Sequence, residues 1–492
     1  LSIHWPIIRT LLRNPTRALI TDDKGDYTGL QILVAAMHVA AVLRGKCESS
    51  TVGVLVPTSG AFPICALAGW MLGKTVVPLN YLLKPEELQY VIDDCECDTI
   101  VTVQAMLDFL PQPPKFTARF KHLIRLDDIA FKSFPEPVFP AQAHDEDLAV
   151  MLYTSGTSGK PKGVMLTHGN LCANLNQIRA HVELFPTDIA LGVLPQFHSF
   201  GMTVLTLLPL TVGFRAVYAA RFMPHRIVKL MREHRPTLFI AIPSMYNALL
   251  ALKDATADDF SSFRYVVSGG EPLPNAVFDR MRERFGVTLC EGYGLTETAP
   301  VSNWCRGFEF RQHSVGKALP GITQRIVDTA TGCTLGPDSD GEVQMRGPNV
   351  MRGYFKLPQE TANAFTADGF FRTGDIGRHD RDGHLMITGR LKEMLIVGGE
   401  NVFPREIEEV LNQHPTVNAS GVVGLTDPMR GEVPIAFVEP REDQIIDPAT
   451  LIRWCRERLA GYKVPHEIRV LPQLPRNPTG KVMRRELKKE LE

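Results

Sequence analysis

Nothing in the composition of this chain offers an obvious handle on a nucleic acid, a membrane or an oxidising compartment. Over 492 residues the charges balance to a net −1, so no nucleic-acid partner is implied. The cysteines number 9, scattered; Cys95 and Cys97 sit close but have no further His/Cys set at zinc spacing. They read as reduced, mostly buried thiols of a cytoplasmic protein. No apolar run is expected to span a bilayer, since 201–214 is too short and carries Pro209, which leaves peripheral membrane contact and either a monomer or a homodimer open. The sequence starts at Leu1 without methionine, so a removed leader or tag stays open. The length allows two to four domains.

The stretch with most to say is Tyr153-Thr-Ser-Gly-Thr-Ser-Gly-Lys-Pro-Lys-Gly163. Its glycines let the backbone turn N–H groups into one concavity that attracts an anion. The hydroxyls of Thr154, Ser155, Thr157 and Ser158 add donors, Lys160 and Lys162 add mobile positive charge, and Gly156 and Gly159 supply the turns. A polyphosphate suits such a loop. A Walker A loop does not fit, because Pro161 follows Lys160 where that pattern needs Ser or Thr opening a helix. A solvated surface loop is the plain alternative, but 148–153 reads as a buried strand running into it.

From residue 51 to about 292, β-branched runs (51–56, 99–103, 148–153, 189–194, 238–242, 265–268, 287–290) alternate with helical patterns (85–94, 170–181, 224–233, 274–285). That alternation predicts parallel sheet covered by helices, and the number of strands predicts two doubly wound subdomains. Residues 301–387 are rich in Gly, Asp and short strands and suggest a small, distorted β-barrel. Beyond about 389 the pattern is compact α+β: helix 404–412, strands 419–425 and 435–439, helix 448–459 and a basic helix after Gly480. The expected organisation is therefore a large domain, 1–390, followed by a small mobile domain, 391–492.

Other stretches carry chemistry less specifically. Phe197-His198 follows a strand, where a histidine is as readily structural. Ser268-Gly269-Gly270-Glu271-Pro272 is a turn that either admits a flat ring or simply joins strand to helix. In Glu291-Gly-Tyr293-Gly294-Leu-Thr296-Glu297, Tyr293 can stack on a base, Thr296 can donate to phosphate and Glu297 suits Mg²⁺, a hard ion favouring carboxylate oxygen; a capped loop with Glu297 at the surface is the alternative. Asp375 and Arg390 lie beside turns near the boundary, and a carboxylate accepts both hydroxyls of a ribose. Lys481 follows a glycine turn and alone would pass for a solvated charge.

In this order the stretches resemble the adenylate-forming superfamily: acyl-CoA synthetases, firefly-type luciferases and peptide-synthetase adenylation domains. The resemblance runs from about Val52 to Lys481. It implies that a carboxylate attacks the α-phosphorus of ATP, giving acyl-adenylate and pyrophosphate, after which a thiol displaces AMP. By resemblance, the loop from Thr154 to Lys162 holds the β- and γ-phosphates, Glu297 the Mg²⁺ and Thr296 the α-phosphate. Lys481 bridges carboxylate and α-phosphate, Tyr293 with 269–272 lines the adenine slot, and Asp375 and Arg390 take the ribose. Lys392 matches the hinge about which the C-terminal domain turns between half-reactions, bringing Gly398, Gly399 and Glu400 to the CoA tunnel. His198 matches the gate between acid pocket and thiol tunnel.

Two departures bear on the acid. Amino-acid adenylation domains carry aspartate where His198 stands, and no carrier domain follows here. Acetate-activating relatives have tryptophan at the position of Gly294, so an open pocket floor is expected there. The tracts 194–201, 293–300 and 346–351 look most like fatty-acyl ligases and acyl-carrier-protein synthetases, and Gly398-Gly399-Glu400-Asn401 is the form usual in CoA ligases. The expectation is a medium- or long-chain fatty acid–CoA ligase using ATP, CoA and Mg²⁺. An aryl acid–CoA ligase of the coumarate or benzoate kind, an acyl-carrier-protein ligase, a luciferase-like oxygenase and a catalytically dead nucleotide-binding relative are the alternatives.

Overall fold

The computed structural model describes residues 2–155, 160–476 and 482–491. Two large sheets dominate. The first runs, edge to edge, Gly353–Tyr354, Pro161–Thr167, Leu148–Ser155, Thr75–Pro78, Thr51–Leu55, Thr99–Thr102, His122–Arg125. The last five strands are parallel to one another. Thr51–Leu55, Thr75–Pro78 and Thr99–Thr102 are buried at every position, which is why they read as continuous β-branched runs rather than alternating ones.

The second sheet has the order Lys317–Ala318, Val301–Trp304, Cys290–Gly294, Tyr265–Gly269, Leu238–Ala241, Ile189–Gly192, Arg215–Tyr218, Ala18–Asp22, Gly25–Thr28. Its interior is parallel and its two ends are antiparallel. The helices Pro85–Asp94 and Pro404–Asn412 have the bounds expected from the sequence. By contrast, the sequence pattern did not disclose that Ala18–Asp22 and Gly25–Thr28 cross to this sheet. They are short and mostly part-exposed, so no period is visible in them.

The helix Gly29–Lys46 is long and apolar enough to cross a membrane by length and composition alone. Packing explains the composition. The helix contacts His4–Arg13 and Ala61–Met71, buries Ile32, Ala36, Val39, Ala40 and Leu43, and bonds His38 Nε2 to the Ser133 carbonyl at 3.1 Å. It starts at Thr28, whose side chain accepts from Gln31 N while Gln31 reciprocates, a capping box that fixes the first turn.

After the second sheet comes a four-stranded antiparallel sheet, Thr323–Val327, Gly341–Arg346, Phe371–His379, Leu385–Arg390, in the β-rich region anticipated from composition. The C-terminal domain wraps Pro404–Asn412, Pro448–Arg456 and Arg484–Lys489 around a five-stranded sheet. One apolar cluster runs from Ile3 to Leu385, and two smaller ones lie between Leu395 and Leu487. The C-terminal domain docks through Phe403, whose ring leaves no room for a side chain at Gly389 (an added Cβ would sit 2.5 Å away), and through Glu409 Oε1, which accepts from Asn275 N at 2.9 Å.

Candidate active site

The strand Cys290–Gly294 begins three residues later than expected and carries the chemical motif itself. Val301–Trp304 folds back against it, with Gly292 opposite Trp304 and Tyr293 opposite Asn303. A register shift follows Tyr293, and the turn at Thr296–Thr298 then presents Thr296 and Glu297 to a cavity of about 1120 Å³. Tyr293, Gly294, Thr296 and Glu297 all line it.

Glu297 Oε1 accepts from the Tyr354 hydroxyl at 2.9 Å, and burial pushes its carboxyl pKa up. A carboxylate so placed is oriented and poorly hydrated, and a cation in the cavity would relieve it. Thr296 Oγ1 lies 3.3 Å from Ser199 Oγ. Neither Tyr354 nor Ser199 was singled out from the sequence. Ser199 adjoins His198, but Tyr354 arrives from a two-residue strand paired with Pro161–Thr167, a juxtaposition no local pattern reveals.

A second group gathers around Asp375, which is 2% exposed. The Tyr293 hydroxyl donates to its Oδ2 at 2.6 Å and Arg390 Nε donates to its Oδ1 at 2.8 Å. Asp375 and Arg390 are direct partners across the antiparallel pair Phe371–His379 and Leu385–Arg390, so sheet register rather than loop geometry brings them together. Burial, with the Asp375 charge beside it, holds the Tyr293 hydroxyl far above its usual range and therefore as a donor.

The glycine- and hydroxyl-rich stretch is flanked by two paired strands. Leu148–Ser155 and Pro161–Thr167 pair antiparallel, with Thr154 opposite Lys162, and both of these residues line the cavity. Gly156, Thr157, Ser158 and Gly159 lie outside the described residues, as do Lys481 and the side chain of Ser155. Lys162 Nζ is paired with Glu360 and sits 5.4 Å from the Tyr354 ring centre, while Lys160 Nζ is 5.4 Å from that of Tyr90.

Gly270 takes φ +80° at the end of Tyr265–Gly269. Gly270 and Glu271 line the cavity; Pro272 is exposed and does not. A Cβ at Gly269 would come within 3.0 Å of the Phe200 ring. His198 lines the cavity too; burial lowers its pKa to about 4, so its imidazole is neutral at physiological pH, and Nε2 has no partner among the described residues. Phe200, Ile240, Ile242, Met245 and Val267 give the same cavity an apolar arm.

Gly294 lines the cavity, and backbone geometry demands a glycine there. An added Cβ would fall 1.8 Å from the Pro300 carbonyl oxygen, so a side chain here would meet backbone. The glycine is demanded by the close return of the chain, and its lack of an indole does not by itself open a floor. Lys392 lies at the cavity rim in the turn Leu391–Glu393. Gly398, Gly399 and Glu400 are exposed in a hairpin of the C-terminal domain and do not line the cavity; φ of +61° and +89° accounts for both glycines as turn residues.

Residues 9–355 match the model of the AMP-binding enzyme family and residues 406–481 that of the AMP-binding enzyme C-terminal domain. The chain belongs to the AMP-binding enzyme family. Among its relatives, a long-chain-fatty-acid–CoA ligase of Bacillus subtilis is 32% identical, across 97% of this chain and 92% of its own. A feruloyl-CoA synthase of an Amycolatopsis species is 31% identical across 99% and 98%. Among solved structures, ATP-bound MatB from Rhodopseudomonas palustris superposes with a TM-score of 0.89 at 28% identity, covering 100% of this chain and 99% of MatB. The apo form of MatB, with equal coverage, gives 0.80.

Proposed function

We propose that this AMP-binding enzyme activates a medium- or long-chain fatty acid and passes the acyl group to CoA. The class of reaction is that of an AMP-forming acid–thiol ligase: ATP and a carboxylic acid give an acyl-adenylate, and CoA displaces AMP. One observation carries the choice of acid: the cavity that presents Thr296 and Glu297 continues into an apolar arm of Phe200, Ile240, Ile242, Met245 and Val267.

The roles divide along the two polar groups. Asp375 would accept the ribose hydroxyls while Arg390 and Tyr293 fix its orientation, and Tyr293 with Gly270 and Glu271 would flank the adenine. Thr154 and Lys162, with the loop between them, would hold the β- and γ-phosphates, Glu360 giving up Lys162 as they bind. Thr296 would donate to the α-phosphate. The adenylation step brings carboxylate against polyphosphate, so neutralising charge and holding the reacting atoms in line does most of the catalysis; Lys481 is the residue proposed to bridge the two anions. The family implies Mg²⁺, and Glu297 fits it: a half-buried oxygen donor held by Tyr354. When bound there, the ion would neutralise phosphate charge. His198, neutral at physiological pH, would gate the acid arm without attracting the carboxylate away from phosphorus.

For the second half-reaction the domain of residues 391–492 would turn about Lys392 relative to 1–390, carrying Gly398, Gly399 and Glu400 to the thiol path. Closure in both arrangements would shield the mixed anhydride from water.

The test is AMP release, with ATP and CoA, across saturated acids from acetate to palmitate, with benzoate and coumarate alongside. A maximum on an aliphatic acid longer than butanoate supports the reading. A maximum on an aryl acid would replace it with the aryl–CoA ligase, a reading that the feruloyl-CoA relative favours.

A further inference from the structure

The sheet register points to the residue that ends the acid arm. Gly269 pairs with Gly292 on one side, and Gly292 with Trp304 on the other. Side chains alternate along each strand and partners share a face, so Val267, Gly269, Gly292 and Trp304 lie on one face, with Ile240 beside Val267. The two glycines leave a bare trough across that face. Phe200 covers the Gly269 end, where an added Cβ would touch its ring. Over Gly292 there is room: a Cβ there would make only ordinary contacts, at 3.6 Å, with the Asn303 carbonyl oxygen and Val267. Beside that space stands the indole of Trp304, which lines the cavity and is 2% exposed.

We propose that Trp304 is the end wall of the acid arm and limits this enzyme to acids of medium length at most. The proposal rests on the acid–CoA ligase reading and narrows it. The wall is rigid. The Trp304 main chain is paired with Gly292 on one side and Lys317 on the other, and its carbonyl bonds His181 Nε2 at 2.8 Å. The indole meets Tyr265 edge-on, ring centres 6.2 Å apart. The arm is also short. Thr296, proposed at the α-phosphate, stands four residues along the chain from Gly292, so the two are at most about 14 Å apart, room for an extended chain of about ten carbons. Trp304 is thus a specificity-determining residue that shapes the pocket without touching the reacting atoms.

The experiment measures kcat/KM for linear saturated acids from butanoate to palmitate in the wild type, Trp304→Phe and Trp304→Leu. Nε1 has no hydrogen-bond partner among the described residues, so these variants lose volume without losing a bond. Activities are compared between acids within each protein, so that any general loss of activity cancels, and thermal unfolding checks that each variant is folded. The wild-type optimum should fall at about ten carbons or fewer. It should move to longer acids in Trp304→Phe and further in Trp304→Leu, the preference for the longer acid rising about tenfold or more. A wild-type optimum at palmitate overturns the proposal without recourse to a variant, and so does an unchanged ordering of acids in both variants. If the wild type turns over no acid at all, the ligase reading itself fails, an outcome distinct from either.

Discussion

Replacing Asp375 by asparagine keeps the shape of the side chain and removes its charge. Arg390 has donors only, whereas the Tyr293 hydroxyl can donate or accept. The amide oxygen would therefore stay with Arg390, and the amide nitrogen would force Tyr293 to become the acceptor. In the native protein both partners donate to a buried carboxylate, at 2.6 and 2.8 Å, and bonds to a charged group each contribute about 1.5–3 kcal/mol. Losing one and weakening the other, less the relief of no longer burying a charge, should cost about 2 kcal/mol of stability, measurable by urea unfolding. The effect on ATP should be comparable. A carboxylate can accept two ribose hydroxyls and a carboxamide only one, so KM for ATP should rise about 30-fold, at 1.4 kcal/mol per factor of ten. The decisive assay crosses the variant with 2′,3′-dideoxy-ATP. If Asp375 acts on the ribose, the native enzyme should suffer with the analogue and Asp375→Asn should suffer little more, because interacting partners are not additive. Fully additive losses would show that Asp375 only braces Tyr293 and Arg390, and would refute the ribose assignment.

Lys481→Ala should slow adenylation about 10²–10³-fold yet leave CoA transfer from supplied acyl-adenylate nearly intact; equal loss in both half-reactions would argue against separate arrangements for the two. Burial raises the Glu291 carboxyl from its ordinary 4.5 to about 7 beside Arg405 and Glu409. The folded state thus holds its proton longer than the unfolded chain, and the stability contributed is complete below about pH 4.5 and lost as pH rises through 7. Calorimetry from pH 5 to 8 should show that loss, up to about 3 kcal/mol, and Glu291→Gln should abolish it; identical profiles would exclude Glu291 as the source. Gly294→Ala should fold poorly or lose at least about 3 kcal/mol, since its Cβ meets the Pro300 carbonyl, whereas Gly292→Ala should fold normally and disfavour bulky acids; equal tolerance of both in thermal unfolding would contradict the strand geometry. Cysteines at positions 275 and 409, which touch across the domains, should when crosslinked preserve acid-dependent pyrophosphate exchange but suppress CoA-dependent turnover at least tenfold, reversibly on reduction; full turnover while crosslinked would rule out the domain rotation.

Much of the fold was legible because it rests on local pattern. The parallel strands are buried at every position and read as β-branched runs, and the helix Pro404–Asn412 shows its apolar stripe and its first-turn proline. Where the period is too short to see, as in Ala18–Asp22 and Gly25–Thr28, the sequence is silent. The helix Gly29–Lys46 shows the reverse: contact with two other helices keeps it apolar enough to mimic a membrane span. In the site, the motif residues Thr296, Glu297, Tyr293 and Arg390 line one cavity, and Asp375 lies behind it, bonded to Tyr293 and Arg390. Tyr354, Ser199 and Trp304 did not stand out, because what makes them matter is which strand lies opposite them. The glycines make the same point. Sequence shows that Gly292 and Gly294 lack side chains; only geometry shows that one absence leaves space and the other avoids a collision.

The placement of the C-terminal domain decides which of the expected residues can be seen at the cavity. Arg390 and Lys392 reach it, while Gly398, Gly399 and Glu400 face solvent. The chain superposes better on ATP-bound MatB than on apo MatB, although both cover the whole of it at the same identity. The two domains meet through polar contacts, Glu409 with Asn275 N, Arg405 with the Ile387 carbonyl and Asn247 with Asn418, and through the single ring of Phe403 on Gly389. Water can replace most of those partners at little cost, so relative motion is the default expectation for such an interface. Glu291, which is buried, and Glu409, which is half-buried, add a bias: desolvation raises both carboxyl pKa values, and because Glu409 lies in this interface, separation of the domains would return part of that cost. An arrangement held by exchangeable bonds and opposed by two desolvated acids is suited to one half of a two-step reaction, and ill suited to permanence.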